Sequence, residues 1–156
     1  MDSRDYGLTE AEMRKQLGYL DDIVNRVLHR AAQMASEQPI TIEATSFQIN
    51  NYYSAVEDLC RIVAAAFENN IADLSRWHSE LIDRMTLDVA GVRPPLLSDE
   101  TAQLLHRLRS FRHFFRHAYR VELDEGEVRK NLERLKEAHP RLLADVEQFL
   151  SQLRGG

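Results

Sequence analysis

Residues 98–121, SDETAQLLHRLRSFRHFFRHAYRV, are the most informative stretch of the chain. Ser98 followed by Asp99 and Glu100 is a helix start. The hydroxyl can accept from an unpaired backbone N–H, and the two carboxylates sit against the positive end of the helix dipole. The helix is predicted to continue to Tyr119 or Val121. Wound at 3.6 residues per turn, Leu104, Leu108, Phe111, Phe115 and Ala118 share a sector of about 80 degrees, the stripe of a helix packed on one side. Arg109, Arg112, His113, Arg116 and Arg120 fill a second sector about 100 degrees wide, with His117 just beyond it. Tyr119 lies between Arg112 and the stripe. Phe114 and Val121 lie outside both sectors, which suggests a second packing surface.

The flanking sequence repeats this helical logic. Leu17, Leu20, Val24, Val27, Leu28 and Ala31 recur at helical spacing, and Thr9 with Glu12 has the form of a capping box, so a helix is predicted over about 9–36. Pro39 stops it. Residues 42–47 alternate like a strand, but nothing else in the chain offers them a partner strand. A second long helix is predicted from 45 or 48 to 71 or 74, with Tyr52, Val56, Leu59, Cys60, Val63 and Phe67 inward. A shorter one over about 78–89 ends at Gly91, and the prolines of VRPPLL demand an extended connector. After an Asp124 cap and a break at Gly126, the last helix covers about 127–150, kinked or divided at Pro140, and the RGG tail frays. The predicted fold is all-α: an up-and-down antiparallel four-helix bundle with a short additional helix across one end, one domain over residues 8–153.

Composition removes several function classes. The chain has 156 residues, 44% of them apolar, and one cysteine. An internal disulfide is impossible, and a reducing, cytoplasmic compartment is favoured. There is no 18-residue apolar run and no signal-peptide pattern at MDSRDYG, so no membrane attachment is expected. No phosphate-cradling glycine loop and no zinc spacing occurs, so neither cofactor nor metal is expected. Glu57, Asp58 and Glu68 lack the Glu-x-x-His partners of a di-metal bundle, and Glu57 and Asp58 are expected to face Arg61 or the basic helix. His78 after Trp77 reads as a surface pair at a helix start, and Cys60 as a core residue.

The net charge of −5 conceals an asymmetry. No acidic residue stands between Glu100 and Glu122, while five of the 20 basic residues and three of the six histidines do. Like charges at i, i+4 repel by a few tenths of a kcal/mol per pair, as estimated for helices generally. Either acids from a neighbouring helix or subunit neutralise this face, or an anion does, and a phosphodiester backbone is the obvious anion. Arg112 and His117 are about 140 degrees apart on an ideal helix. One copy of the helix cannot aim both at one atom, so a site built from this pair predicts a homodimer with a shared cleft.

Arg112-His113-Phe114-Phe115-Arg116-His117, followed by Ala118-Tyr119, has the form Arg-x4-His-x-Tyr. The segment FRHFFRHAYRVELD resembles the signature of HEPN-domain toxins of the HepT type. YYSAVEDLCRIVAAAFEN and WHSELIDRMTLDVAGVRPPLLS resemble that family's preceding helices and connector, and the likeness spans about residues 10–150. The resemblance implies a dimeric helical fold and metal-independent ribonuclease activity, as the toxin of a toxin–antitoxin pair. It implies Arg112 and His117 as the catalytic pair, His113 in support, and Tyr119 as a residue that a minimal nucleotidyltransferase antitoxin adenylylates. Arg109, Arg116 and Arg120 are then RNA-binding charges. RNA carries its own nucleophile in the 2′-OH, so a proton-exchanging His117 and a phosphate-binding Arg112 suffice for cleavage.

Two other classes compete. One is a non-catalytic helical module that binds RNA or nucleotide, or docks onto a nucleotidyltransferase. The other is a bundle whose basic face closes a homodimer. Arg112 and His117 open to solvent in a shared cleft mark the enzyme, whereas burial of both against acids of a second subunit marks the structural module.

Overall fold

A computed structural model of the chain describes residues 3–34, 38–68, 80–116 and 123–155. Helix α1 is Ser3–Ala32, α2 is Pro39–Phe67, α3 is Leu81–Arg84, α4 is Asp99–Arg116 and α5 is Glu125–Gly155. The fold is all-α with four long helices, one single-turn helix and, among the described residues, no sheet. Helix α2 carries the middle of the core. It packs against each of the other four helices, while α1 and α4 lie apart on either side of it.

Side-chain pairs fix the directions. From Tyr6 against Leu150 to Asp21 against His139, α1 runs antiparallel to α5. Tyr52 with His139 and Phe67 with Phe149 make α2 parallel to α5. Ser98 bonds Asp145, whereas Arg107 and Phe111 line a cleft with Glu127 and Arg134, so α4 runs against α5. The course is up, down, up, down.

Several local expectations are corrected. Thr9 is not a cap: α1 begins at Ser3 and encloses Thr9, whose side chain is buried in the bundle. Residues 42–47 are helical, with the hydroxyls of Thr45 and Ser46 donating back to the carbonyls of Thr41 and Ile42. Pro39 opens α2 rather than stopping α1, because a first-turn position needs no N–H and suits its fixed φ. The short helix is only Leu81–Arg84. Beyond it the chain turns tightly, with Val89 bridged to Arg93 and Gly91 at φ +75, a conformation that side chains with a Cβ adopt reluctantly.

The N-terminus of α4 is built as predicted: Thr101 N–H donates to Ser98 Oγ, and Asp145 accepts from both Ser98 N and Oγ. Asp124 likewise accepts from Gly126 N–H, but Gly126 stands within the first turn of α5 and is no break. Pro140 divides nothing. Its ring is exposed while Val128, Leu132 and Leu135 before it and Leu142, Val146 and Phe149 after it are buried in one core, so packing on both sides holds the helix continuous. The tail is helical to Gly155, where Arg154 pairs with Glu10 of α1.

Candidate functional site

The basic helix meets α2 through a charged cluster. Tyr53, Glu57 and Arg61 succeed one another at i, i+4 and i+8 on α2. Thr101, Leu105, Leu108 and Arg112 follow at steps of four, three and four on α4. The first three of these are fully buried, so Arg112 continues a core-facing row. The ideal-helix projection put Arg112 on the open basic sector. That is corrected here, and the cause is Leu105, seven residues earlier on the same face and missing from the apolar stripe as read from sequence.

Arg112 Nη1 donates to Glu57 Oε1 at 2.9 Å, and Arg61 Nη2 donates to Glu57 Oε2 at 2.9 Å. The Glu57 side chain is only 2% exposed, whereas Arg112 and Arg61 are 21% and 28% exposed. Glu57 therefore faces both Arg61 and the basic helix, as expected. Asp58, on the solvent side, takes the other end of Arg61 at 2.7 Å. The Arg112 guanidinium also lies 5.8 Å from the centre of the Tyr53 ring, a cation–π approach. Its Nε is buried and has no hydrogen-bond partner among the described residues. Burial pushes the Tyr53 phenol above its usual range; the Glu57 charge adds to this and nearby Arg109 opposes it.

Arg109 is half-buried on the same side of α4, and His113 is exposed one position beyond Arg112. Arg116 is the last helical residue of α4. His117, Tyr119 and Arg120 lie outside the described residues. Arg112 is partly open, and the acid it meets comes from a neighbouring helix of its own chain, the first of the two sources of neutralising acid anticipated for the basic face.

Other chemistry is spoken for. Burial pushes the Cys60 thiol up to about 12, with the Glu57 charge adding to it, so it stays protonated and is no nucleophile. Among the described residues, no group of three His, Cys, Asp or Glu side chains is arranged to hold a metal ion. No described helix is long and apolar enough to cross a membrane. His106 is tied to Asp83 at 2.6 Å, fastening α4 to α3. Sequence reasoning missed His139, which bonds Tyr52 and Asp21; its place between Leu135 and Leu142 at helical spacing was the available signal.

Compared with known protein families, residues 44–153 match the family model described as HepT-like protein. No curated protein and no solved structure matches the chain.

Proposed function

The chain belongs to the HepT-like family, and on that premise we propose that it is a metal-independent ribonuclease toxin. The observation that carries the reading is the extent of the family match, which takes in α2 from residue 44 onward, the connector and the whole Arg-x4-His-x-Tyr segment of residues 112–119. Arg112 binds the scissile phosphate and stabilises the charge that grows on it. His117 takes the proton of the 2′-OH as that oxygen attacks the adjacent phosphorus. The P–O5′ bond breaks, and the 5′-oxygen leaves with a proton from the second histidine of a homodimer. The products are a 2′,3′-cyclic phosphate and a 5′-hydroxyl. His113 supports this pair, and Arg109, Arg116 and Arg120 hold the RNA backbone, with tRNA the expected substrate class. A nucleotidyltransferase antitoxin silences the enzyme by adenylylating Tyr119, and the pair acts in the cytoplasm.

One observation favours a second reading. An arginine paired with a buried carboxylate of its own chain also suits a non-catalytic module in which Arg112 only ties α4 to α2. A single experiment separates the two. Protein purified free of partner is incubated in EDTA with end-labelled tRNA and a matching DNA oligonucleotide, beside Arg112→Ala and His117→Ala. RNA-only cleavage lost in both variants is the expected result. Inert wild-type protein whose intact mass carries no adenylyl group would discard the nuclease in favour of the binding module.

A further inference from the structure

We propose that Glu57 is a positioning residue that sets the direction of the Arg112 guanidinium for phosphate, an inference that rests on the nuclease reading of Arg112. A carboxylate with 2% exposure is costly to hold in a helical core, and a buried ion pair replaced as a whole by well-packed apolar side chains commonly loses no stability, so stability alone does not account for the cluster. Glu57 has the geometry of a bracket. Oε1 is taken by Arg112 and Oε2 by Arg61, each at 2.9 Å, so the carboxylate cannot turn without breaking one of two charged hydrogen bonds. Arg61 is in turn anchored on Asp58. The chain Asp58–Arg61–Glu57–Arg112 thus transmits a fixed orientation from the solvent edge of α2 to α4.

The grip on Arg112 is partial. Glu57 engages Nη1, the Tyr53 ring lies beside the guanidinium plane, and the buried Nε has no partner among the described residues. A guanidinium oriented before substrate arrives loses less freedom when the transition state forms, which is where a positioning residue acts.

The test compares full-length wild type with Glu57→Gln and Arg61→Met, using end-labelled tRNA for cleavage, thermal unfolding for integrity, and 15N NMR of the arginine side chains. Glu57→Gln keeps the shape and removes the charge. Expected is a fall in kcat of roughly 10- to 100-fold with KM within about twofold, as for a misaimed catalytic group. In the same variant the Arg112 Nη signals, restrained in wild type, should average. Arg61→Met, which frees one side of the bracket, should lower kcat by a smaller factor with KM again unchanged. A folded Glu57→Gln protein that cleaves at the wild-type rate overturns the inference and leaves the nuclease standing. If Glu57→Gln does not fold, Arg61→Met decides, and a wild-type kcat there overturns it equally. Wild-type protein that is unmodified and inert toward RNA removes the nuclease reading and this role together.

Discussion

Tyr52 is fully buried, yet its hydroxyl lies 3.1 Å from Nδ1 of His139, whose Nε2 lies 2.7 Å from Asp21 Oδ1. The carboxylate can only accept, so Nε2 carries a proton, and in the neutral imidazole Nδ1 then accepts and the phenol donates. Burial pushes the Tyr52 phenol well above its usual range, with Asp21 adding to the effect, so it remains a donor at any physiological pH. Tyr52→Phe leaves Nδ1 buried and unpaired. We expect a loss of about 1 kcal/mol, read as a lower urea midpoint at unchanged slope, and a Tm lower by about 2–4 °C. RNA cleavage should not change, since Tyr52 faces α5 and not α4. At this scale the chemistry of the candidate site was legible where it lay in one continuous stretch, Arg112 to Tyr119. What it leans on was less so. Glu57 could be aimed at Arg61 by i, i+4 spacing alone, but which arginine of α4 meets it depends on how two helices are rotated against each other, and no local pattern encodes that.

Helices were legible as elements and misread at their ends, for reasons that differ in each case. The pattern Thr9-x-x-Glu12 satisfies a capping box, but a cap is needed only where N–H groups lack partners, and α1 already runs from Ser3. Residues 42–47 alternate, yet Pro39 at the first helical position and the Ser46 and Thr45 hydroxyls turned back onto the helix identify the start of α2. Pro140 misled in the opposite direction. Proline removes one intrahelical bond and crowds the preceding turn, but α5 is anchored by core residues on both sides of it. The uninterrupted helix makes a prediction. Pro140 is exposed, so Pro140→Ala restores the N–H without leaving a cavity, and the intrinsic preference for alanine over proline in a helix is about 3 kcal/mol. Local relaxation and the entropy that proline removes from the unfolded chain offset part of this. We expect a stabilisation of about 1–2 kcal/mol, seen as a higher midpoint in chemical denaturation. An unchanged or lower midpoint would mean that the proline ring suits a bend the bundle requires.

At the scale of the molecule, the match to the family begins at residue 44, so α1 lies outside it and must be held by what it touches. Its apolar face, Met13, Leu17, Leu20 and Val27, is in the common core. Its polar edge is clasped to α5: Arg14 bonds both Glu10 and Glu147, Arg154 pairs with Glu10, and the Tyr6 hydroxyl donates to the Leu150 carbonyl. Desolvation tends to raise the Glu10 carboxyl, but hydrogen bonds from Arg154 and Arg14 outweigh it and hold the group below the usual carboxylate range. Glu147 is lowered chiefly by its hydrogen bond from Arg14. Carboxyls lowered in the folded state stabilise it above their unfolded pKa values, and that stabilisation is lost as pH falls through the folded ones. The clasp should therefore be complete at neutral pH and weaken progressively as pH falls below the ordinary carboxylate range. Wild type and the double variant Glu10→Gln, Glu147→Gln, compared by urea unfolding at pH 7 and pH 3, should differ more at the first than at the second. Because these pairs are exposed, added salt at pH 7 should narrow the same gap. A gap that persists unchanged at pH 3 would mean that packing of the side-chain stems, and not charge, fastens α1 to the bundle.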